Sequence, residues 1–191
     1  MNNEYIKTYS NVLSDEKCQE LIDIFNEEER YHQSFDVNGM TFTQLNIGTE
    51  QVGRRLKETN NFLSTLFAEY TKRYVEDCGI EAQQFPKSYL LEPIRIKRYL
   101  PNDKDQFAPH VDVNNKQNCG RFLSFFIYLT DNDEGSTKFL GKNDLTSSCE
   151  RGKMLMFPPL WPWLHCGEKP VDKPKYIVQS YLHYPEMFSW I

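Results

Sequence analysis

Histidine, paired cysteines, clustered basic residues and long apolar runs are all scarce in this sequence. Its five cysteines, Cys18, Cys78, Cys119, Cys149 and Cys166, are odd in number and scattered. No CxxC pair occurs, which argues against a zinc ribbon or a dithiol redox motif and fits reduced thiols in a cytoplasmic protein. No stretch approaches the ~20 apolar residues that a membrane helix needs. Met1-Asn2-Asn3-Glu4 lacks the charged-then-apolar pattern of a secretion signal, so the expectation is a soluble intracellular protein with no membrane partner. The net charge is −5 with no run of Lys and Arg, which disfavours a nucleic acid or another anionic partner.

What is present describes an ordinary globular chain. Its 191 residues, 39% hydrophobic and 14% aromatic, suit one domain with a sizeable core. Ser14 or Asp15 can cap a helix in which Cys18, Leu21, Ile22 and Phe25 recur at helical spacing. The polar stretch 31–49, with Asn38-Gly39 as a turn signal, reads as a loop or an irregular hairpin. A second helix is predicted from about Val52 to Asp77, with Phe62, Leu63, Leu66, Phe67, Tyr70 and Tyr74 as its apolar stripe and Cys78-Gly79 as its stop.

From about Tyr89 short β-prone runs alternate with turn clusters, at 94–100, 107–111, 121–130, 137–140, 153–157 and 175–184. The run 121–130 is apolar on both alternating faces, as a strand between two layers would be. The reading is an α+β chain with a mainly β core, a jelly roll packed against N-terminal helices. A single domain over 1–191 is expected, with helical support over about 1–80 and the jelly-roll core over about 85–185.

Only His32, His110, His165 and His183 supply imidazoles. His110-Val111-Asp112 ends a predicted strand, and alternation points residues i and i+2 to one side. A third ligand from a distant strand would complete two imidazoles and one carboxylate on one face of a metal, an arrangement typical of non-haem Fe(II) oxygenases. His165 follows after a strand and a Pro-rich turn, and Lys175 opens the last long strand. A dianionic co-substrate such as 2-oxoglutarate, chelating iron at one end, needs a cation for its far carboxylate; Fe²⁺, one Asp and that dianion sum to −1, which one lysine cancels.

Several segments together resemble the prolyl 4-hydroxylase branch of the 2-oxoglutarate- and Fe(II)-dependent dioxygenases. They are Arg98-Tyr99-Leu100-Pro101 with Ala108-Pro109-His110-Val111-Asp112, then Phe126-Ile127-Tyr128-Leu129-Thr130-Asp131 with Glu134-Gly135-Ser136-Thr137-Lys138-Phe139. Trp163-Leu164-His165-Cys166-Gly167 and Lys175-Tyr176-Ile177-Val178 complete the set, so the likeness spans roughly 89–184. The chain departs from the family's frequent Gly-Gly, reading Glu134-Gly135-Ser136 there.

The resemblance implies a double-stranded β-helix. It also implies Fe(II), 2-oxoglutarate and O₂ as cofactor and co-substrates, with ascorbate a further candidate. Carried over residue by residue, it makes His110, Asp112 and His165 the iron ligands and catalytic centre. Lys175, Tyr99 and Thr137 would hold 2-oxoglutarate, and Arg121 and Tyr181 would line the substrate pocket. The implied reaction hydroxylates a prolyl residue of a peptide or protein and releases succinate and CO₂. The plainer readings are a core histidine at 165, a strand-end lysine at 175, a turn-satisfying arginine at 121, core packing for Tyr181, and core or rim packing for Trp161 and Trp163. Same-chemistry action on a free amino acid, small metabolite or nucleobase stays open, as do a zinc hydrolase and a non-catalytic binding sandwich.

Overall fold

The computed structural model describes residues 3–37, 39–48, 53–141 and 145–185. Helix α1 (Asp15–Glu27) starts at Ser14, whose side-chain oxygen accepts from the Lys17 amide at 3.3 Å. Its apolar stripe, Cys18, Leu21, Ile22 and Phe25, is buried as its spacing predicts. Helix α2 (Arg54–Asp77) buries Leu63, Phe67 and Tyr74, and Gly79 follows it with a φ of +61°. Val52, the expected start, lies outside the described residues. Phe62 departs from expectation: it is 42% exposed and lies beneath the Lys17 ammonium, because it sits at the edge of the stripe, next to fully buried Leu63.

Two sheets carry the rest. The larger has the order β1 (Lys7–Tyr9), β10 (Met154–Phe157), β7 (Arg121–Tyr128), β12 (Lys175–His183), β5 (Arg95–Tyr99), β3 (Met40–Asn46), β2 (His32–Val37), with β4 (Leu90–Leu91) pairing β12. The smaller has the order β6 (Phe107–His110), β11 (His165–Gly167), β8 (Asn132–Phe139), β9 (Leu145–Cys149). All their strand pairings are antiparallel. The fold is a mainly β jelly roll with two helices against the outside of the larger sheet. No helix among the described residues is long and apolar enough to cross a membrane.

Alternation along the central strands divides the core into two layers. Phe125 and Ile127 of β7, Met154 and Met156 of β10, and Val178 of β12 pack outward against Leu21, Phe25, Leu63 and Phe67 of the helices. Phe126 and Tyr128, Leu155 and Phe157, and Ile177 point inward between the sheets, with Tyr99 and Phe139. Strand β7 is thus apolar on both faces because both face protein. Each such fully buried large side chain stabilises the fold by about 1.5–3 kcal/mol.

Within the stretch 31–49, β2 and β3 pair as antiparallel strands rather than forming a loop, and β3 joins the larger sheet through β5. Asn38 of its expected turn lies outside the described residues. The first 80 residues therefore supply β1, β2 and β3 to the sheet as well as helical support. The turn between β5 and β6 is fastened to this strand pair. Asp105 accepts from the Leu100 amide at 2.7 Å and from the Thr41 hydroxyl. Gly152, in the turn before β10, has a φ of +74°, and a Cβ there would meet the Leu13 carbonyl oxygen at 2.4 Å.

Candidate metal and co-substrate site

Strands β6 and β11 are neighbours, and their register sets His110 directly opposite His165. The two rings stand 4.3 Å apart, centroid to centroid. Asp112 follows the end of β6, in a bend that turns its carboxylate back toward the pair. The His110 Nδ1 lies 2.7 Å from the Ala108 carbonyl oxygen, and the His165 Nδ1 lies 2.9 Å from that of Trp163. A carbonyl oxygen only accepts, so each Nδ1 carries the ring proton and each Nε2 presents a lone pair.

Those lone pairs converge. The His110 Nε2 is 3.4 Å from Asp112 Oδ1 and the His165 Nε2 is 3.8 Å from Asp112 Oδ2. One ligand atom from each residue lies within 4.8 Å of the others. Asp112 Oδ2 is buried and has no hydrogen-bond partner. An unpaired buried carboxylate oxygen is costly, and two facing lone pairs do not relieve it. A cation does, so the donor set fits a divalent metal with open positions.

Electrostatics agree. Burial pushes the His165 imidazole below its ordinary range, which favours the neutral, ligating form. Burial raises the Asp112 carboxyl, but the facing histidines and the Tyr181 hydroxyl outweigh it and hold the group below the ordinary carboxylate range. Tyr181 donates to Asp112 Oδ1 at 3.0 Å and accepts from the Gln179 amide at 2.8 Å. Arg121 grips Glu92 through Nε at 2.6 Å and a terminal nitrogen at 2.9 Å, and its guanidinium stacks 4.0 Å from the Tyr181 ring.

Lys175 lies opposite Tyr99 in the β5–β12 register, in the same cavity as the side chains of His110, Asp112 and His165. It is buried, with its ammonium 5.5 Å from the Tyr99 ring and 5.7 Å from that of Tyr128. Burial lowers its pKa, with Cys149 and Glu168 pulling the other way. Thr137 also lines the cavity, and the Tyr128 hydroxyl donates to its Oγ1 at 2.8 Å. A Cβ at Gly135 would sit 3.2 Å from Lys175 Cδ, so this glycine makes room for the lysine stem. Here one glycine suffices where the family often has two.

The structure thus brings His110, Asp112, His165, Lys175, Tyr99, Thr137 and Tyr181 to one cavity and sets Arg121 behind Tyr181. Sequence reasoning missed Lys97, Gln179 and Tyr128. Alternation held the signal: Lys97 shares a face with Tyr99, Gln179 with Lys175, and Tyr128 with Phe126. Of the two tryptophans expected in the core or at its rim, Trp163 packs against the interior cluster and Trp161 is 77% exposed.

Residues 94–183 match the model of the 2OG-Fe(II) oxygenase superfamily. The chain carries a domain of this superfamily. It is an Fe(II)- and 2-oxoglutarate-dependent dioxygenase, which uses Fe(II), 2-oxoglutarate and O₂. No curated relative matches its sequence significantly. Among solved structures it is similar to a viral collagen prolyl hydroxylase from Paramecium bursaria Chlorella virus-1, solved as its 2OG complex, at 16% identity and a TM-score of 0.64, covering 95% of this chain and 97% of that one. A Pseudomonas putida prolyl-4-hydroxylase matches at 10% identity and a TM-score of 0.66, covering 95% and 94%. A Trichoplax adhaerens prolyl hydroxylase, in complex with a hypoxia inducible factor oxygen degradation domain peptide fragment, matches at 15% and 0.72, covering 95% and 84%. At these identities the likeness is one of fold.

Proposed function

We propose that this oxygenase hydroxylates a prolyl residue in a peptide or protein, releasing succinate and CO₂, with His110, Asp112 and His165 holding the iron. The observation that carries the metal assignment is the buried, unpartnered Asp112 Oδ2 facing two imidazoles whose Nδ1 protons are already committed. The likeness of fold to several prolyl hydroxylases, one solved with a peptide, supports the substrate class. When bound, iron, 2-oxoglutarate and O₂ supply the oxidative decarboxylation and the oxygen that enters the C–H bond.

The chain's own residues do the rest. Lys175, buried in that cavity, would meet the far carboxylate of 2-oxoglutarate, and burial strengthens the effect of a single ammonium. Tyr99, beside that ammonium, and Thr137, lining the same cavity, would fix the co-substrate's direction. Tyr181 and the backbone carbonyls of Ala108 and Trp163 orient the metal ligands. Arg121, held by Glu92 and stacked on Tyr181, stiffens that side of the cavity. The pair of β2 and β3 lays Phe42 against Tyr99 and Phe107, which keeps water from that side.

The test is succinate release from purified enzyme with and without proline-containing peptides. Stimulation by prolyl peptides, with hydroxyproline in the product, is expected. Stimulation by free amino acids alone would move the same chemistry to a small substrate.

A further inference from the structure

Lys97 is a buried cation that neither the metal ligands nor the co-substrate pocket accounts for. It sits in the middle of β5 and lines the same cavity as His110, Asp112 and Lys175. It is only 8% exposed. Among the described residues its ammonium makes no hydrogen bond and no ion pair; its neighbours are the rings of Phe42 at 5.0 Å and Phe107 at 5.8 Å. Ring faces offset only part of what losing most of its water costs an ammonium. Burial, reinforced by Arg95, lowers the Lys97 pKa to about 8, against the opposing pull of Asp112. The position suits an anion brought from outside the chain.

Position and charge say what it is. The β5–β12 register sets Lys97 opposite Ile177, two rungs from the Tyr99–Lys175 pair and two rungs from the Arg95–Gln179 pair, all three pairs on one face. Fe(II), Asp112, the 2-oxoglutarate dianion and Lys175 already sum to neutrality. Arg95 and Arg121, both near enough to act on Lys97, share Glu92, which leaves one positive charge beside the cavity, and Lys97 adds another. The chain as a whole carries −5, and that balance disfavours an anionic partner. Within the cavity the sign is reversed, and near charges prevail over those beyond a Debye length of about 8–10 Å.

We infer that Lys97 is a specificity-determining residue that pairs with a carboxylate on the substrate, so the enzyme selects substrates with an acidic group beside the carbon to be hydroxylated. This deepens the proposed function and rests on it for the placement of iron and 2-oxoglutarate. The carboxylate belongs either to an acidic side chain next to the target residue or to the α-carboxylate of a free amino acid. The ammonium accepts both, and the test separates them.

Anaerobic protein loaded with Fe(II) and 2-oxoglutarate is titrated calorimetrically with matched pairs. These are acetyl-Asp-Pro-amide against acetyl-Asn-Pro-amide, L-proline against L-prolinamide, and acetyl-Asp-Ala-amide against acetyl-Asn-Ala-amide. In wild type the carboxylate member of at least one pair binds about tenfold or more tightly than its amide, as a charge-assisted contact should. In Lys97→Met that advantage falls to about twofold or less. The pair that shows it identifies the source of the carboxylate.

Methionine keeps the length of the side chain and removes the charge, so the ligand-free variant melts at a higher temperature than wild type. Loss of a merely structural residue would lower it. No carboxylate advantage in any pair, or one that survives in Lys97→Met, overturns the inference. So does a loss of 2-oxoglutarate affinity in Lys97→Met as large as that in Lys175→Ala, because the ammonium would then hold the co-substrate. The prolyl reading fails separately: a Lys97-dependent advantage confined to the alanyl pair removes the prolyl assignment and keeps Lys97.

Discussion

The hydroxyl of Tyr181 donates to Asp112 Oδ1 at 3.0 Å, while the other oxygen of that carboxylate is buried without a partner. One oxygen is thus held by the protein and the other is left for a metal. Gln179 in turn donates to the Tyr181 hydroxyl at 2.8 Å, so the carboxylate is steered by a relay along one face of β12. Tyr181→Phe removes the hydroxyl and keeps the ring against Arg121. Its Fe(II) affinity should fall about tenfold, the lower end of what losing such a supporting contact costs. Competitive metal titration measures it, and an unchanged affinity would mean Asp112 needs no steering.

Gly152 tests the fold account away from the site. A side chain there would have to hold a φ of +74° and displace the Leu13 carbonyl oxygen, 2.4 Å from where its Cβ would sit. The Gly152 carbonyl also accepts from the Val12 amide at 2.8 Å, which fastens the segment before α1 to the turn. Gly152→Ala should destabilise the protein by about 2–3 kcal/mol, since left-handed strain and a backbone clash add. Urea unfolding of the two proteins compares them, and a change under about 0.5 kcal/mol would contradict the contact.

Lys97 gives a pH prediction with a definite sign. Its folded pKa of about 8 lies below its ordinary value of 10.5, so the folded chain releases its proton first. Between those values the unfolded chain binds more protons, and stability rises with pH. Arg95 and Arg121 push in the same direction as burial, and Asp112 and Glu92 oppose it. Lys97→Met should therefore be more stable than wild type at pH 7 by about 3 kcal/mol in the metal-free protein. The gap should narrow as pH rises from 8 toward 10. Lys175, also lowered by burial, is present in both proteins and cancels in the difference. A gap that is constant with pH would show that Lys97 does not titrate in this range.

The fold was legible where the pattern was long. Helix α2 and strands β7 and β12 each repeat their apolar positions several times, and each was located from the sequence to within a few residues. β1, β4 and β11 are two or three residues long, too short to show any period. Strand β8 begins at Asn132, among Asn, Asp, Glu and Gly that read as a turn, because its early part packs against Lys175 rather than apolar residues.

Legibility of the site followed the same logic. His110 and Asp112 stand two apart in sequence, a spacing that already suggested one shared side, although the bend after β6 rather than strand alternation brings the Asp112 carboxylate back. His165 needed the β6–β11 register, which no local pattern contains. Glu92 was overlooked because an acidic residue beside a proline looks like a turn; its value lies in gathering Arg95 and Arg121, which only the folded chain juxtaposes.

The account rests on three ligands and one lysine, and a single titration tests them together. Purified metal-free protein is titrated anaerobically with Fe(II) and 2-oxoglutarate while the visible metal-to-ligand charge-transfer band is recorded, alongside His165→Ala and Lys175→Ala. The account predicts a saturable band in wild type, its loss in His165→Ala, and a 2-oxoglutarate affinity weakened about tenfold or more in Lys175→Ala with the band retained. Folded wild type that binds iron yet shows no band, or a Lys175→Ala affinity equal to wild type, would contradict it.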